Sequence, residues 1–471
     1  MSVNAPLGAT SEGGSFEVTA AATFARPAHT LPRPRTRTRA ELIGICATLA
    51  VPLLGLLVCI AATRSSALVP QSLQLAPQAS GMAGPFQHLG FSLGLGEVVA
   101  LLVVLMCAYL TALRYCAHVP ARLIVWAVAA FTLIVVLGPP LFSTDVFSYQ
   151  AYARMFAHYH TNPYLWGPRV IGDDYPLYWY IGARWIGTPS VYGPLFTFLS
   201  TVFAATSVAF NYFAFKVIAA AASASTLVLI WRSAQRRGVS PKRGIALFGL
   251  NPIVTLCGVG GGHNDLLMLA LTSWGVYAVM TRRERAAGTL FSIATGIKLT
   301  GGLVLPFALI GDTRATDRSS RRRLLGAALA TGAVLAGASY VAFGTGILHM
   351  LSTLQSVQDQ GSWQSLPGFL FSLTNVSVTP AVRIADDVVL AVALLWLLRR
   401  VWRGRMDWIE GAAWATFAVL LTAWSLVPWY CAWLMPLVAL TNNTRLWRAA
   451  TAATVMGGTL MVASCFPWGW L

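Results

Sequence analysis

The chain has 471 residues, of which 56% are hydrophobic and only 10% are charged, whereas about a quarter of the residues of a soluble globular protein are charged. This composition excludes a soluble multidomain protein. Apolar runs of about 20 residues, the length that crosses a bilayer as a helix, recur along the sequence and lack the strand alternation of a membrane β-barrel. The sequence therefore predicts an all-α polytopic membrane protein.

The net charge of +17 comes from 33 Lys and Arg against 16 Asp and Glu. In a soluble protein this excess would indicate nucleic-acid binding, but here the basic residues concentrate in a few short segments beside apolar runs. The positive-inside rule places such segments in the cytoplasm, so we expect a topology signal and no nucleic-acid site. The basic segments contain Arg33, Arg35, Arg37 and Arg39; Arg232, Arg236, Arg237, Lys242 and Arg243; Arg282, Arg283 and Arg285; Arg314, Arg318, Arg321, Arg322 and Arg323; Arg399, Arg400, Arg403 and Arg405; and Arg445 and Arg448.

Two regions differ in composition. Residues 1–40, rich in Ala, Thr, Pro and Arg, are predicted to be a disordered cytoplasmic tail, and residues 41–471 to be the transmembrane domain. No cleavable signal peptide is expected, because the first span begins only at about residue 42. The seven cysteines show no metal or redox spacing, and we interpret them as small core residues.

Eleven apolar runs are predicted to cross the membrane. Two further segments are predicted not to cross fully. Segment 193–209 is predicted to be a re-entrant or partial hairpin and segment 288–310 a bent hairpin, because full crossings would move neighbouring basic loops to the outer face. Counting these ambiguous segments gives a bundle of about 11–13 helices. The predicted spans are 42–62, 93–113, 123–140, 212–231, 244–260, 265–281, 324–343, 380–398, 408–427, 431–441 and 449–466.

The loop at 141–191 is the longest polar stretch between spans, and the topology makes it external. Its richness in Tyr, Trp and Phe argues against disorder and favours interfacial helices. At helical spacing Asp145, Tyr149 and Tyr152 share one face, a carboxylate and aromatic rings that suit a sugar, and Arg154 falls on the opposite face. The alternative is a helix that begins with an acid, stabilised by the helix dipole, with Thr144 as its cap.

The segment "GGGHNDLLM" at 260–268 lies at the external end of the fifth span. His263, Asn264 and Asp265 follow three glycines, which let the backbone approach a ligand closely. A site and a helix cap formed by Asn264 or Asp265 are equally compatible with this pattern. One His and one Asp are too few ligands to predict a metal.

Lys298 interrupts an apolar hairpin and is flanked by Gly296, Gly301 and Gly302. A Lys near mid-membrane costs about 2.5–3.5 kcal/mol on the insertion scale. We expect it to point into a cavity, where its partner would be an anion such as a lipid phosphate, and snorkelling to the interface is the alternative. Trp429 and Tyr430, in "PWYCAW", are either site residues or part of an aromatic belt.

Several segments occur in an order that resembles one known family. They are "STDVFSYQAYARM", "NPY", "YGPL", "NPIVTLCGVGGGHNDLLM", "GIKLTGGLVLPFAL" and "VPWYCAWLMPL", which together span about residues 130–440. This set resembles the actinobacterial polyprenol-phosphate-mannose-dependent α-1,6-mannosyltransferases of the type C glycosyltransferase (GT-C) superfamily. The resemblance implies a GT-C-like helical bundle, with the external loop 141–191 as its catalytic loop.

The resemblance also implies a reaction. Asp145 would act as the catalytic base for inverting transfer of mannose from a polyprenyl-phosphate donor to a mannan or lipoglycan acceptor, with an α-1,6 linkage, on the outer face of the cell membrane. The family often has two adjacent acids where this chain has Thr144–Asp145, so no divalent metal and no cofactor is expected. The expected substrate-binding residues are Tyr149, Tyr152, Arg154, Asn162, Tyr192, His263, Asn264, Asp265, Lys298, Trp429 and Tyr430.

A transporter or flippase for a lipid-linked sugar is the alternative function, because broken helices and polar residues at mid-membrane also suit transport. The sequence shows no internal repeat, and its long aromatic outer loop favours the enzyme. A non-catalytic scaffold would not need a Lys inside the membrane.

Overall fold

The computed structural model describes residues 38–74, 79–172, 174, 176–311, 318–360, 364–374 and 378–466. By its contacts the chain divides after Thr38, and the fold below is that of the part from Arg39 onward. The predicted disordered tail, 1–40, lies almost entirely outside the described residues.

The first part of the chain forms three long apolar helices, α1, α3 and α4, and one short helix, α2. Helix α1 packs against α3 and α4, and at this crossing an added Cβ on Gly55 would lie 2.3 Å from the Phe131 ring, so the glycine allows the helices to approach. Helix α4 stops before Pro139 and Pro140, which remove backbone donors. The helices are α1 (Arg39–Ala62), α2 (Gln71–Gln74), α3 (Leu95–Tyr115) and α4 (Ala121–Leu137).

Where the structure describes it, the loop predicted at 141–191 is folded, with one longer helix, several short helical turns and irregular segments between them. Its main helix begins at Asp145, as the Asp-plus-aromatic pattern indicates, and is followed by short helices and turns. The predicted hairpin at 193–209 is a short helix and a 3₁₀ turn, Thr201–Phe203. The helices are α5 (Asp145–Ala157), α6 (Leu177–Tyr180) and α7 (Pro194–Ser200).

The predicted continuous fifth span, 244–260, is wrong. The chain forms a helix, breaks at Leu250 and Asn251, and continues as a π-helix over Ile253–Val259. Pro252 disfavours helix at the residue before it, and the Asn251 side chain accepts the Ile253 N–H instead. The π-helix then meets the next helix at an angle of 119°. The helices are α8 (Val208–Arg237), α9 (Pro241–Gly249) and α10 (Asn264–Met280).

The predicted bend within 288–310 is present as a break at Lys298. Helix α11 ends at Ile297, Lys298 is extended with φ −155°, and a 3₁₀ turn over Leu299–Leu303 leads into α12. The long helix α13 packs along α11. The helices are α11 (Glu284–Ile297), α12 (Val304–Gly311) and α13 (Arg318–Phe343).

The last part of the chain alternates long helices with short ones. The predicted tenth span, 431–441, is wrong as a full crossing, because Pro428–Leu434 forms a 3₁₀ helix and only four residues of α-helix follow. The helices are α14 (His349–Asp359), α15 (Leu366–Thr374), α16 (Pro380–Trp402), α17 (Trp408–Thr422), α18 (Met435–Val438) and α19 (Thr444–Ala463).

The described residues form an all-α polytopic membrane protein, as the composition predicts. Four helical segments are long and apolar enough to span a membrane, or five if the bent pair around Gly260 is one span. Ala121–Leu137, Pro194–Phe203, Leu299–Gly311 and Trp408–Thr422 are shorter apolar helices. The broken helices gather where the loop 141–191 meets the bundle, and their breaks supply the polar groups of the site.

Gly193 joins the loop to the bent hairpin, since its N–H donates to Ile297 O at 3.1 Å. A Cβ there would lie 2.2 Å from Gly296 O, a contact with backbone that cannot move aside. We predict that Gly193→Ala lowers the thermal unfolding midpoint in detergent by several degrees. Gly332→Ala, at a helical position with nothing within 4 Å, is the control and should match or exceed the wild type. Equal midpoints for the two variants would contradict the close approach.

Candidate active site

A cavity of about 930 Å³ opens between the loop 141–191, the hairpin break and the segment that follows α17. Its volume is at the upper end of the range of small-molecule sites. One carboxylate from the loop, one ammonium from the hairpin and several aromatic rings share its wall. Of the predicted site residues, Asp145, Tyr192, Lys298, Trp429 and Tyr430 line it directly.

Asp145 is the first residue of α5, and its side chain is 21% exposed. The predicted cap by Thr144 is wrong, since Thr144 occupies the N-cap position without a side-chain hydrogen bond. The Ser143 hydroxyl instead accepts the Asp145 N–H at 3.1 Å. Asp145 therefore begins a helix and also lies on the cavity wall.

His263 reaches Asp145 from the other side of the bundle. Its Nδ1 lies 3.4 Å from Asp145 Oδ2, and its ring stacks on Trp429 with centroids 3.9 Å apart. At this distance a protonated imidazole would pair with the carboxylate, and the contact limits the orientations open to Asp145. The buried His263 Nε2 and Trp429 Nε1 have no hydrogen-bond partner among the described residues, and of the two only Trp429 lines the cavity.

The glycines before His263 are needed for its position. Gly262 has a φ of +61°, in the left-handed region that favours glycine. A Cβ on Gly261 would lie 2.5 Å from His263 Nε2, where it would displace the ring. His263 itself is the N-cap residue of α10 and makes no side-chain cap bond, so the predicted cap by Asn264 or Asp265 is wrong.

Asp265 and Lys298 form an ion pair of 2.7 Å between α10 and the hairpin break. Asp265 Oδ1 also accepts from Trp433 Nε1 at 2.6 Å, and the Lys298 ammonium lies 4.5 Å from the centre of the Tyr430 ring. Lys298 lies on the cavity wall, as predicted. Its anionic partner within the protein is Asp265, which the sequence analysis did not pair with it.

The aromatic side chains of α5 lie off the cavity wall. Tyr149 is buried, lies edge-on to Tyr192 at 4.7 Å and has its hydroxyl 3.5 Å from both His263 Nδ1 and Asn264 Oδ1. Tyr152 donates to Thr188 O at 2.7 Å. Burial, and then the Asp145 carboxylate, raises the pKa of Tyr149 and Tyr192 well above the usual value. These two hydroxyls therefore stay protonated at neutral pH.

Two expected substrate-binding residues are structural instead. Arg154 pairs with Asp174 at 2.6 Å and donates to Thr206 O at 3.0 Å. Asn162 donates to Phe343 O at 2.6 Å, which ties the loop to the end of α13. Neither lines the cavity, because each side chain closes the loop onto the bundle on its other face.

Sequence reasoning missed Lys216. It is fully buried in α8, and its Nζ donates to Gly138 O at 2.8 Å and to Tyr212 Oη at 2.7 Å. A cation at the C-terminal carbonyl of α4 fixes the start of the segment that carries Asp145. The cost argument that singled out Lys298 applies equally to a Lys inside the predicted span 212–231 and would have found it.

Metal binding has no obvious place in the part of the chain that the structure describes, where no three His, Cys, Asp or Glu side chains come together. The expectation that the reaction needs no metal stays a prediction.

Removing the Asp265–Lys298 ion pair tests how much it contributes to stability. Lys298→Met leaves Asp265, whose side chain is 2% exposed, as a buried unpaired charge, a change that typically costs about 3–5 kcal/mol. We predict a clear loss of thermal stability in detergent for Lys298→Met and recovery in Lys298→Met/Asp265→Asn. Asp359→Asn removes a half-exposed ion pair with Arg383 worth at most about 1 kcal/mol, and is the control. A double variant no more stable than Lys298→Met would contradict the coupling.

Comparison with known proteins shows the family. The profile described as "Alpha-(1->6)-mannopyranosyltransferase, N-terminal domain" matches residues 42–312, over half of the chain, and "MptB C-terminal domain" matches residues 358–466. Alpha-(1->6)-mannopyranosyltransferase A of Mycobacterium tuberculosis is 28% identical over 354 residues, 69% of this chain and 66% of that protein.

Two relatives come from Corynebacterium glutamicum. Alpha-(1->6)-mannopyranosyltransferase A is 28% identical over 183 residues, 38% of this chain and 37% of that protein. Alpha-(1->6)-mannopyranosyltransferase B is 24% identical over 351 residues, 67% of this chain and 58% of that protein. The matches therefore span less than two thirds of each of these relatives' own length. With one profile over its N-terminal part and a second over its C-terminal part, this chain belongs to the family of alpha-(1->6)-mannopyranosyltransferases.

Proposed function

We propose that this protein is an inverting membrane mannosyltransferase that transfers mannose from a polyprenyl-phosphate donor to a mannan or lipoglycan acceptor on the outer face of the membrane. One observation carries the proposal. A carboxylate held by a histidine, Asp145 Oδ2 to His263 Nδ1 at 3.4 Å, lies on the wall of a large cavity that also contains an ammonium, that of Lys298. The relatives' names supply the sugar and the α-1,6 linkage, and the donor and acceptor are our inference.

Asp145 is the proposed general base. Its Oδ2 is held by His263, which leaves Oδ1 to take the proton from an acceptor hydroxyl. The hydroxyl oxygen forms a bond to the anomeric carbon from the face opposite the phosphate, and the bond from that carbon to the phosphate oxygen breaks. The polyprenyl phosphate leaves with the bonding electrons, and the configuration at the anomeric carbon is inverted.

Lys298 is the proposed donor to the leaving phosphate. An ammonium has three N–H groups, and Asp265 takes one of them at 2.7 Å. The Tyr430 side chain is a second partner of the ammonium, and the remaining N–H is proposed to donate to phosphate oxygens as charge develops there. Because Asp265 neutralises much of the charge of Lys298, we expect directed hydrogen bonds rather than an isolated cation to stabilise the leaving group.

Asp145→Asn tests the base. Asparagine keeps the shape of the side chain and cannot accept the proton, and losing a general base typically costs about 10²- to 10⁴-fold in rate. We predict a loss of this size in kcat, with donor KM little changed, in an assay of labelled mannose transfer by purified protein in liposomes. Asp359→Asn, a carboxylate off the cavity wall, should keep wild-type kcat. Near-wild-type turnover by Asp145→Asn would overturn the assignment.

The orientation is tested by labelling. In a background with the seven native cysteines replaced by alanine, a cysteine introduced by Ser352→Cys, in α14, should react with an impermeant thiol reagent added to intact cells. A cysteine introduced by Gln235→Cys, beside Arg236 and Arg237, should react only after the cells are opened. Both positions are exposed in the structure. The reverse pattern would place the cavity on the cytoplasmic side and contradict an outer-face reaction.

A further inference from the structure

A second groove, of about 660 Å³, runs along the exposed side of α19 and begins beside α9. It shares no lining residue with the cavity around Asp145. Its α19 residues recur at intervals of three and four, so they lie on one face of that helix. We refer to it as the α19 groove. The residues that matter below are Arg243, Trp447, Arg448, Thr451, Val455 and Thr459.

Two guanidinium groups line one end of the α19 groove. Arg243, from α9, lies with its guanidinium carbon 3.7 Å from the centre of the Trp447 ring. Trp447 is only 5% exposed, and its indole N–H donates to Thr441 O at 2.9 Å. The fixed ring therefore holds the Arg243 guanidinium in place by stacking and leaves its N–H groups free. Arg448 follows in the next position of the helix and lines the same groove.

These two cations lack the partners that neighbouring cations have. Lys242 donates to two backbone carbonyls at 2.8 and 3.2 Å, and Arg237 pairs with Asp407 at 3.0 Å. Over the ranges that the structure describes, the guanidiniums of Arg243 and Arg448 make no ion pair and no hydrogen bond. No Asp or Glu lines the α19 groove. Two unpaired guanidiniums side by side favour a phosphate, which each can bind through charge-assisted hydrogen bonds.

The rest of the α19 groove suits an apolar chain. The hydroxyls of Thr451 and Thr459 donate to carbonyls of their own helix at 2.9 and 3.1 Å, so their protons are not available to a ligand. Val455, between them, is 43% exposed. From Arg448 to Thr459 the helix rises about 16 Å, at about 1.5 Å per residue. This is about half of the hydrocarbon thickness of a bilayer, which is the depth of one leaflet.

We propose that the α19 groove binds one anionic phospholipid. Its phosphate lies between Arg243 and Arg448, and one acyl chain lies along Thr451, Val455 and Thr459. The basic residues at this end of α19 place the site in the cytoplasmic leaflet by the positive-inside rule. The ligand is a membrane lipid rather than a soluble phosphate, because the cationic end continues into an apolar strip as long as one leaflet. A zwitterionic lipid fits less well, since its own cation would meet two guanidiniums.

The bound lipid would connect α9 to α19 through its phosphate. The opposite face of α19 packs against the segment that carries Trp429: a Cβ on Gly457 would lie 3.2 Å from Cys431 Sγ and from Pro428 O. The lipid therefore supports a helix that lies directly behind one wall of the large cavity. A ligand that binds only the folded protein raises its stability with concentration, so occupancy of the groove can be measured by thermal unfolding.

The test uses the purified full chain in detergent micelles, titrated with dioleoylphosphatidylglycerol, dioleoylphosphatidylcholine or inorganic phosphate. We expect the unfolding midpoint to rise with the anionic lipid, much less with the zwitterionic lipid and not with phosphate. Arg448→Gln should raise the apparent Kd for phosphatidylglycerol on the order of tenfold, the scale of one charge-assisted hydrogen bond. Equal effects of the two lipids would overturn the proposal. An equal effect of inorganic phosphate would show a soluble-anion site instead and also overturn it.

Arg445→Gln is the matched control. Arg445 lies on the same helix, one turn before Arg448, and both are exposed, but only Arg448 lines the α19 groove. The two variants remove the same charge, so we expect Arg445→Gln to keep the wild-type Kd. Equal losses in the two variants would mean that the lipid responds to the general surface charge, and the site would be overturned.

A third variant tests the path of the acyl chain. Ala452 lines the α19 groove and is exposed, so Ala452→Trp fills the groove and leaves every charge in place. We expect it to weaken phosphatidylglycerol binding as Arg448→Gln does, and an unchanged Kd would contradict the proposed path. The measurements need no sugar donor. Mannose transfer without a preference for the anionic lipid would overturn the lipid site alone, and lipid binding without transfer would leave it standing.

Discussion

The carboxylate of Asp265 joins the breaks on which the site depends. It accepts from Lys298 at the hairpin break and from Trp433 in the 3₁₀ segment after α17, and it lies itself in the first turn after the 119° bend. Each break exposes backbone groups that an apolar surrounding cannot satisfy, so irregular backbone at membrane depth is tolerated only inside protein or against a cavity. One buried acid that binds two donors from different segments holds these breaks around a common space.

The same arrangement positions the proposed reacting groups. The bend after Gly262 brings His263 to Asp145, while the Lys216 ammonium fixes the carbonyl end of α4. Asp145 is therefore oriented from two independent directions, by the helix that precedes its segment and by the histidine facing it. Preorganisation of this kind lets a carboxylate act as a base without reorganisation during the reaction. Tyr149 and Tyr152, on the same helix, direct their hydroxyls to His263 and to Thr188 O, so they do not form a binding surface for a sugar.

The all-α membrane fold could be predicted from the sequence, because the length of apolar runs and the position of basic loops indicate membrane helices. The bend at Lys298 and the polar cluster at His263 could be predicted because polar residues inside an apolar segment cost free energy in a membrane. The pairing of Asp265 with Lys298 could not be predicted, since it joins residues on different helices whose contact only the packed bundle determines. For the same reason the expectation that Arg154 and Asn162 bind the substrate is wrong. Their side chains could bind a sugar, but in the fold they bind Asp174 and Phe343 O instead. Pro252 indicates a helix break at Asn251, but the apolar composition of the segment favours a continuous span, and the prediction followed the composition.

The most direct test of the central claim is product analysis with the purified protein in liposomes. The protein is given polyprenyl-phosphate mannose labelled in the sugar, together with an α-1,6-mannoside acceptor. The account predicts that the label appears in a new α-1,6-linked mannose of inverted configuration and that free polyprenyl phosphate is released in equal amount. Label that crosses the liposome membrane while still attached to its lipid, with no extended acceptor, would show a transporter and contradict the account.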